Sequence, residues 1–185
     1  MRKAPQQALT SALADDALVA LSSHNLPSPP PEMPGLCFHS VYLLRDPVER
    51  VLSVYAFERA QQAETPGAQA ARRMNLQDYV AWRLRDSERP VIRNFQTRFL
   101  AGGAVRHNGD PLSAGAVASA RQRLVEGALV GLVERYDESM VLLEAALHPV
   151  FPHIDLACVP QNVTRGAARG GAPLREQLGA LWQEV

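Results

Sequence analysis

Arg45 and Ser53 are the residues whose types and spacing most directly suggest chemistry. Both stand in the run Leu44-Arg45-Asp46-Pro47-Val48-Glu49-Arg50-Val51-Leu52-Ser53, which follows an apolar stretch. Asp46 is a suitable helix N-cap, Pro47 suits the first helical position, and Glu49 falls third, where it can complete a capping box. A strand end that feeds a helix start favours anions, because free backbone N–H groups and the helix dipole act together there. Arg45, just before the cap, adds a planar donor fork that matches phosphate. Ser53 is two turns into the helix, so a phosphate held by its hydroxyl would lie beside the helix rather than at its tip. Asp46 and Glu49 oppose an anion unless capping occupies them. The plain structural alternative is a capped helix with an Arg–Glu surface pair, and spacing alone leaves both readings open.

The elements that must position these residues can be read from periodicity and breakers. Phe38 to Leu44 reads as a strand and Pro47 to Gln62 as a helix with Val48, Val51, Leu52 and Tyr55 along one side. Upstream, residues 1 to 13 are polar and without pattern, Asp15 to Leu21 is a helix end or a strand, and Pro27 to Pro34 holds five prolines in eight positions and is expected as an extended surface loop. Downstream, Ala63 to Ala68 is expected as a loop around Pro66-Gly67. Helices are expected over Leu76 to Leu84 behind Asn75, over Pro90 to Leu100 with Gly102-Gly103 as the stop, and over Ser113 to Glu126. Arg106 to Pro111 reads as a turn, Ala128 to Val133 as a strand, and Asp137 as the cap of a helix to Leu147. Asn162 to Ala172 is expected to be flexible, and Pro173 to the end to be an amphipathic helix. This mixture predicts one α/β domain over residues 1–185 with a helix-covered parallel sheet. A purely helical fold is the alternative.

Bulk properties narrow the function classes. The chain has 185 residues, zero formal net charge and 46% hydrophobic residues. That balance argues against a general nucleic-acid or membrane-surface binder but leaves room for a local anion site. No apolar run approaches a membrane span, and no signal-peptide pattern is found, so a soluble cytoplasmic protein is expected. Cys37 and Cys158 are expected as free buried thiols, with one disulfide as the alternative. His39 falls in the predicted strand and reads as structural. His107, His148 and His153 lack any paired spacing, and no metal-ligand pattern is present. Arg72, Arg73, Arg83 and Arg85 read as solvated helix faces.

The segment Leu43 to Tyr55 resembles the 3′-phosphate-binding segment of the sulfotransferases that act on carbohydrate chains, the heparan- and chondroitin-type group and its bacterial branch. Three further segments are similar in order: Asn94-Phe95-Gln96-Thr97-Arg98-Phe99-Leu100-Ala101-Gly102, Val130-Gly131-Leu132-Val133-Glu134-Arg135-Tyr136-Asp137-Glu138-Ser139, and, more loosely, Asn162-Val163-Thr164-Arg165. The resemblance implies a P-loop-NTPase-like parallel sheet covered by helices. It implies a sulfuryl group moved from the activated donor PAPS to a hydroxyl of a carbohydrate or similar acceptor, with PAP as product and no metal. Arg45 and Ser53 match the family's 3′-phosphate ligands, and Tyr55 matches a tyrosine of the same helix. His24, in Ser22-Ser23-His24-Asn25, falls near the place of the family's base, a task that suits neutral imidazole; an ordinary loop histidine is the alternative. Arg165 would close over the nucleotide, or else simply solubilise a glycine-rich turn. Arg98 is a candidate for substrate binding, or else a helix-surface residue.

One family feature is not found. The lysine-bearing loop that grips the 5′-phosphosulfate, of the form Pro-Lys-Thr/Ala-Gly-Thr/Ser, has no counterpart, and Lys3 is the sole lysine of the sequence. Charge stabilisation at the leaving group is a large catalytic term. The expectation is therefore a domain truncated at its N-terminus, and either a sulfotransferase or a non-catalytic nucleotide- or glycan-binding remnant of that fold. A kinase-like phosphoryl transferase would need a glycine-rich lysine loop and a metal-binding acid after a strand, and neither is apparent.

Overall fold

The computed structural model describes residues 13, 19–22, 29–85, 91–102, 112–126, 128–159 and 171–185. Among them are two strands, β1 (Ser40–Leu44) and β2 (Ala128–Leu132). The helices are α1 (Pro47–Ala60), α2 (Pro66–Arg73), α3 (Leu76–Arg85), α4 (Phe95–Leu100), α5 (Ala114–Glu126), α6 (Tyr136–Leu147) and α7 (Gly171–Leu178). The α/β class is as expected. Residues 19–22 form neither helix nor strand. The expected turn at Arg106 to Pro111 and most of the expected flexible stretch from Asn162 lie outside the described residues. No helix among those described is long and apolar enough to cross a membrane.

β1 and β2 pair in parallel, with Ser40 opposite Ala128 and Leu44 opposite Leu132. Helices approach both faces, as parallel strands require. Tyr42 meets Phe99 of α4 edge-to-face, with ring centroids 6.3 Å apart. On the other face α6 lies against Gly131. A Cβ added there would stand 2.7 Å from Leu43 Cδ2 and 2.9 Å from Ser139 Cβ, so only glycine lets helix and strand approach this closely. Gly131→Ala is expected to cost about 1–3 kcal/mol in a denaturant titration, the usual range for overpacking; no change would show that α6 can move away freely. Cover is nonetheless partial, since Val41, Leu43, Val130 and Leu132 stay exposed.

The main core lies among helices rather than under the sheet. Val48, Val51 and Tyr55 of α1 pack with Ala70 and Ala71 of α2, Tyr79, Val80 and Leu84 of α3, Ile92, and Leu174 and Leu178 of α7. Full burial of Val51, Val80 and Leu178 contributes about 1.5–3 kcal/mol each. The expected loop at Ala63 to Ala68 is corrected: Pro66 opens α2, and Thr65 caps it by accepting from the Ala68 N–H at 3.3 Å. Pro66-Gly67 reads as a turn by composition, but proline at the first helical position lacks only an N–H that would have no partner. The helix expected from Pro90 starts later, at Phe95, because Asn94 is left-handed with φ 51°. Asn75 does cap α3, accepting from the Asp78 N–H at 2.9 Å.

Three further expectations change. Asp137 lies inside the first turn of α6 rather than capping it. Cys37 and Cys158 are free, as expected, but exposed rather than buried. Arg83 is buried, not solvated, and pairs with Glu58 at 2.5 Å. Pro29, Pro30, Pro31 and Pro34 are non-helical, as expected, and lead into a tight turn where Gly35, at φ 78°, lets the Leu36 N–H reach the Met33 carbonyl at 3.2 Å.

Candidate anion site at the strand–helix junction

β1 delivers Arg45 to the N-terminus of α1. Asp46 caps that helix, its Oδ1 accepting from the Val48 N–H at 2.9 Å and the Glu49 N–H at 3.1 Å. The expected capping box is not closed by Glu49. Instead Glu134, from the turn after β2, accepts from the Asp46 N–H at 3.0 Å. The same carboxylate oxygen lies 3.8 Å from Arg45 Nε. Arg175 of α7 adds a second cation, 3.7 Å from the free oxygen of Asp46. Asp46→Ala is expected to lower stability by about 0.5–2 kcal/mol. Asp46→Asn should cost much less, because it keeps the capping acceptor; thermal melts of the two variants would separate capping from charge.

Gln96 fixes the backbone of Arg45 from both sides. Its Oε1 accepts from the Arg45 N–H at 2.9 Å, and its Nε2 donates to the Arg45 carbonyl at 2.7 Å. The side-chain amide thus imitates a neighbouring strand. With the backbone held, the guanidinium remains partly exposed, while its Nε is buried and has no hydrogen-bond acceptor among the described residues. Arg50, one turn along α1, donates to the Val91 carbonyl at 2.7 Å and lies 4.0 Å over the Phe95 ring. Burial, and then the charge of Arg45, lowers its guanidinium to about 10, so Arg50 stays charged at neutral pH. A cleft of about 100 Å³ runs beside Arg50, Asn94, Gln96 and Thr97.

Ser53 sits on α1 six residues beyond Pro47, about 9 Å further along the axis, and is half-buried. Tyr55 belongs to the core rather than to an open surface: it is 8% exposed, and its hydroxyl donates to the Met74 carbonyl at 2.8 Å. Arg98 is 7% exposed, which corrects the helix-surface alternative and leaves little of it for an acceptor to touch. His24 and Arg165 lie outside the described residues.

The structure therefore assembles parts of three of the four segments singled out in the sequence: Arg45 and Asp46 from the first, Gln96 from the second, Glu134 from the third. Glu134 is held by a short 3-10 turn, Val133–Arg135. Ser139 closes that turn, accepting from the Leu132 N–H at 2.8 Å and donating to the Arg135 carbonyl at 2.7 Å. Gln96, Glu134 and Arg175 carried no site assignment in the sequence reading. Their only signal was that the first two lie inside segments already singled out, since no local pattern marks a lone glutamine or glutamate.

A protein of Archaeoglobus fulgidus described as uncharacterized is 30% identical over 175 residues, covering 90% of this chain. The match takes in 65% of that relative, so the chain spans a little under two thirds of its length. No family model matches the chain, and no solved structure does.

Proposed function

We propose that the junction of β1 and α1 binds the 3′-phosphate of an adenosine 3′,5′-bisphosphate nucleotide, as part of a sulfotransferase-like domain that uses PAPS. The observation that carries this reading is the meeting of Arg45, Gln96 and Glu134 at one capped helix start. In kind, the residues fit a phosphate monoester. The buried Arg45 Nε lacks an acceptor, the α1 dipole favours negative charge, and Ser53 offers a hydroxyl further along the same helix. On this reading Arg45 would bind and orient the phosphate, and Gln96 would hold Arg45 in place. PAPS, when bound, would supply the sulfuryl group, and the acceptor would be a hydroxyl of a carbohydrate or similar molecule. His24 is proposed as the base for that hydroxyl, Arg165 as a further nucleotide contact, and Arg98 as a residue that supports the acceptor side. The two-strand sheet is proposed to belong to a P-loop-NTPase-like sheet, which its exposed apolar residues support.

Titration calorimetry with adenosine 3′,5′-bisphosphate tests the site. One saturable site per chain is expected, weakened in Arg45→Ala; no heat of binding at millimolar nucleotide would sink the reading. A second reading, a nucleotide- or glycan-binding domain without transfer chemistry, is favoured by one feature. The sequence holds a single lysine, Lys3, with no glycine turn beside it. Nucleotide binding without transfer of labelled sulfate from PAPS to a panel of sugars would favour this second reading.

A further inference from the structure

We propose that Glu134 is a built-in counter-ion that occupies the anion position at the β1–α1 junction and has to give way when a phosphate binds. The proposal rests on the nucleotide-site reading above and concerns the regulation of that same site.

In an ordinary capping box, the N-cap N–H is answered by the residue three positions on. Here that N–H, of Asp46, is answered at 3.0 Å by a carboxylate 88 residues away in sequence. The oxygen used, Oε1, also faces Arg45 Nε at 3.8 Å, which is near enough for charge pairing but too long for a hydrogen bond. Glu134 thus takes both cationic features of the junction, the backbone N–H and the guanidinium, while leaving the Arg45 Nε donor unsatisfied. The other charged groups there are Asp46, occupied in capping, Glu49 in the first turn of α1, and Arg175 and Arg50, both cationic. Of these carboxylates, Glu134 is the one that lies against Arg45 Nε.

The pair is weak enough to be displaced. The side chains of Arg45 and Glu134 are 33% and 40% exposed, and solvent screens such pairs strongly. A phosphate monoester brings about −1.5 to −2 charges and three acceptor oxygens, and can satisfy the Nε donor that Glu134 does not reach. The carboxylate and the phosphate repel each other, so both cannot hold the position. Binding then competes with an internal anion, and apparent affinity falls by the fraction of molecules in which Arg45 is engaged. Singly charged anions would displace Glu134 poorly, which gives the site a preference for phosphate monoesters.

Calorimetry with adenosine 3′,5′-bisphosphate on the wild type, Glu134→Gln and Glu134→Ala decides the matter. Glutamine keeps an acceptor for the Asp46 N–H and removes the charge. It is expected to tighten binding about 2- to 5-fold with little change in thermal midpoint, and the gain should vanish in the double variant with Arg45→Ala. Alanine is expected to tighten binding too, and so guards against a local effect of the amide. Equal or weaker binding in both single variants, with the wild type still binding, would overturn the counter-ion role while the nucleotide reading stands. Binding by none of the proteins would overturn both. Binding by Glu134→Gln alone would support both and show that Glu134 closes the wild-type site.

Discussion

Glu58→Ala is expected to lower the stability of the chain by about 3–5 kcal/mol, the range for removing one partner of a buried ion pair. Glu58 of α1 holds two groups of α3 at once. It accepts from the Tyr79 hydroxyl at 2.5 Å and from Arg83 Nη2 at 2.5 Å, while Arg83 Nε donates to the Tyr79 oxygen at 3.1 Å. The side chains of Arg83 and Glu58 are only 7% and 13% exposed. Without Glu58 the buried guanidinium loses the carboxylate that it pairs with at 2.5 Å, which is why the loss should exceed that of a surface pair. Gly67 of α2 lies against the same cluster. A Cβ there would overlap Arg83 Nη2 and both Glu58 carboxylate oxygens. Those atoms are the ends of long side chains, but each is held by the other, so Gly67→Ala should also destabilise. Thermal melts should show Glu58→Ala falling by roughly 10 °C. A loss below about 1 kcal/mol would mean that water reaches the pair. Replacing Glu58 and Arg83 together by Leu and Met should recover much of the loss, because desolvating the ions is itself costly.

The cluster also has a pH signature. Burial, and then the hydrogen bond to Glu58, raises the Tyr79 phenol above its ordinary value of 10.0. Because the folded value is the higher one, the folded state favours the protonated phenol. This contribution is complete below pH 10, the unfolded value, and is lost as pH rises above it toward the folded value. Tyrosinate absorbance should therefore show Tyr79 ionising later than an exposed tyrosine, and no later in Glu58→Ala than in free tyrosine if that variant opens the cluster.

Arg45→Ala is expected to weaken adenosine 3′,5′-bisphosphate binding by about 10- to 100-fold, corresponding to about 1.5–3 kcal/mol for hydrogen bonds to a charged group. Arg45→Lys should recover only part of this. A lysine restores the charge but not the planar fork, and it has no donor at the position of the buried Nε. A lysine variant that binds as well as the wild type would mean that the site reads charge alone. Gln96→Ala offers a check on positioning. It leaves every cation in place and removes both hydrogen bonds that hold the Arg45 backbone, so weaker binding in that variant would show that orientation of Arg45 matters.

Local features were legible in the sequence because their causes are local. The Asp46 cap, Pro47 at the first helical position and the apolar side of α1 follow from a few neighbouring residues, and the structure has all three. The same locality misled at Pro66-Gly67, where a dipeptide typical of turns opens a helix because Thr65 stands ready to cap it. It also misled at Arg83, whose charge suggests a surface position. Glu58 of α1, 25 residues earlier in the chain, supplies a carboxylate that makes burial tolerable there.

Arg45 announced itself by its place between a strand and a cap. What it faces did not. Gln96 and Glu134 reach Arg45 and Asp46 from 51 and 88 residues away, and no periodicity or propensity acts over that distance. The sequence by itself determined a capped helix start with an arginine before it, through short-range sterics and hydrogen bonding. The tertiary structure alone decided that this start is clamped by one side-chain amide and already occupied by one carboxylate, because parallel pairing of β1 with β2 brings the turn after β2 alongside the turn after β1.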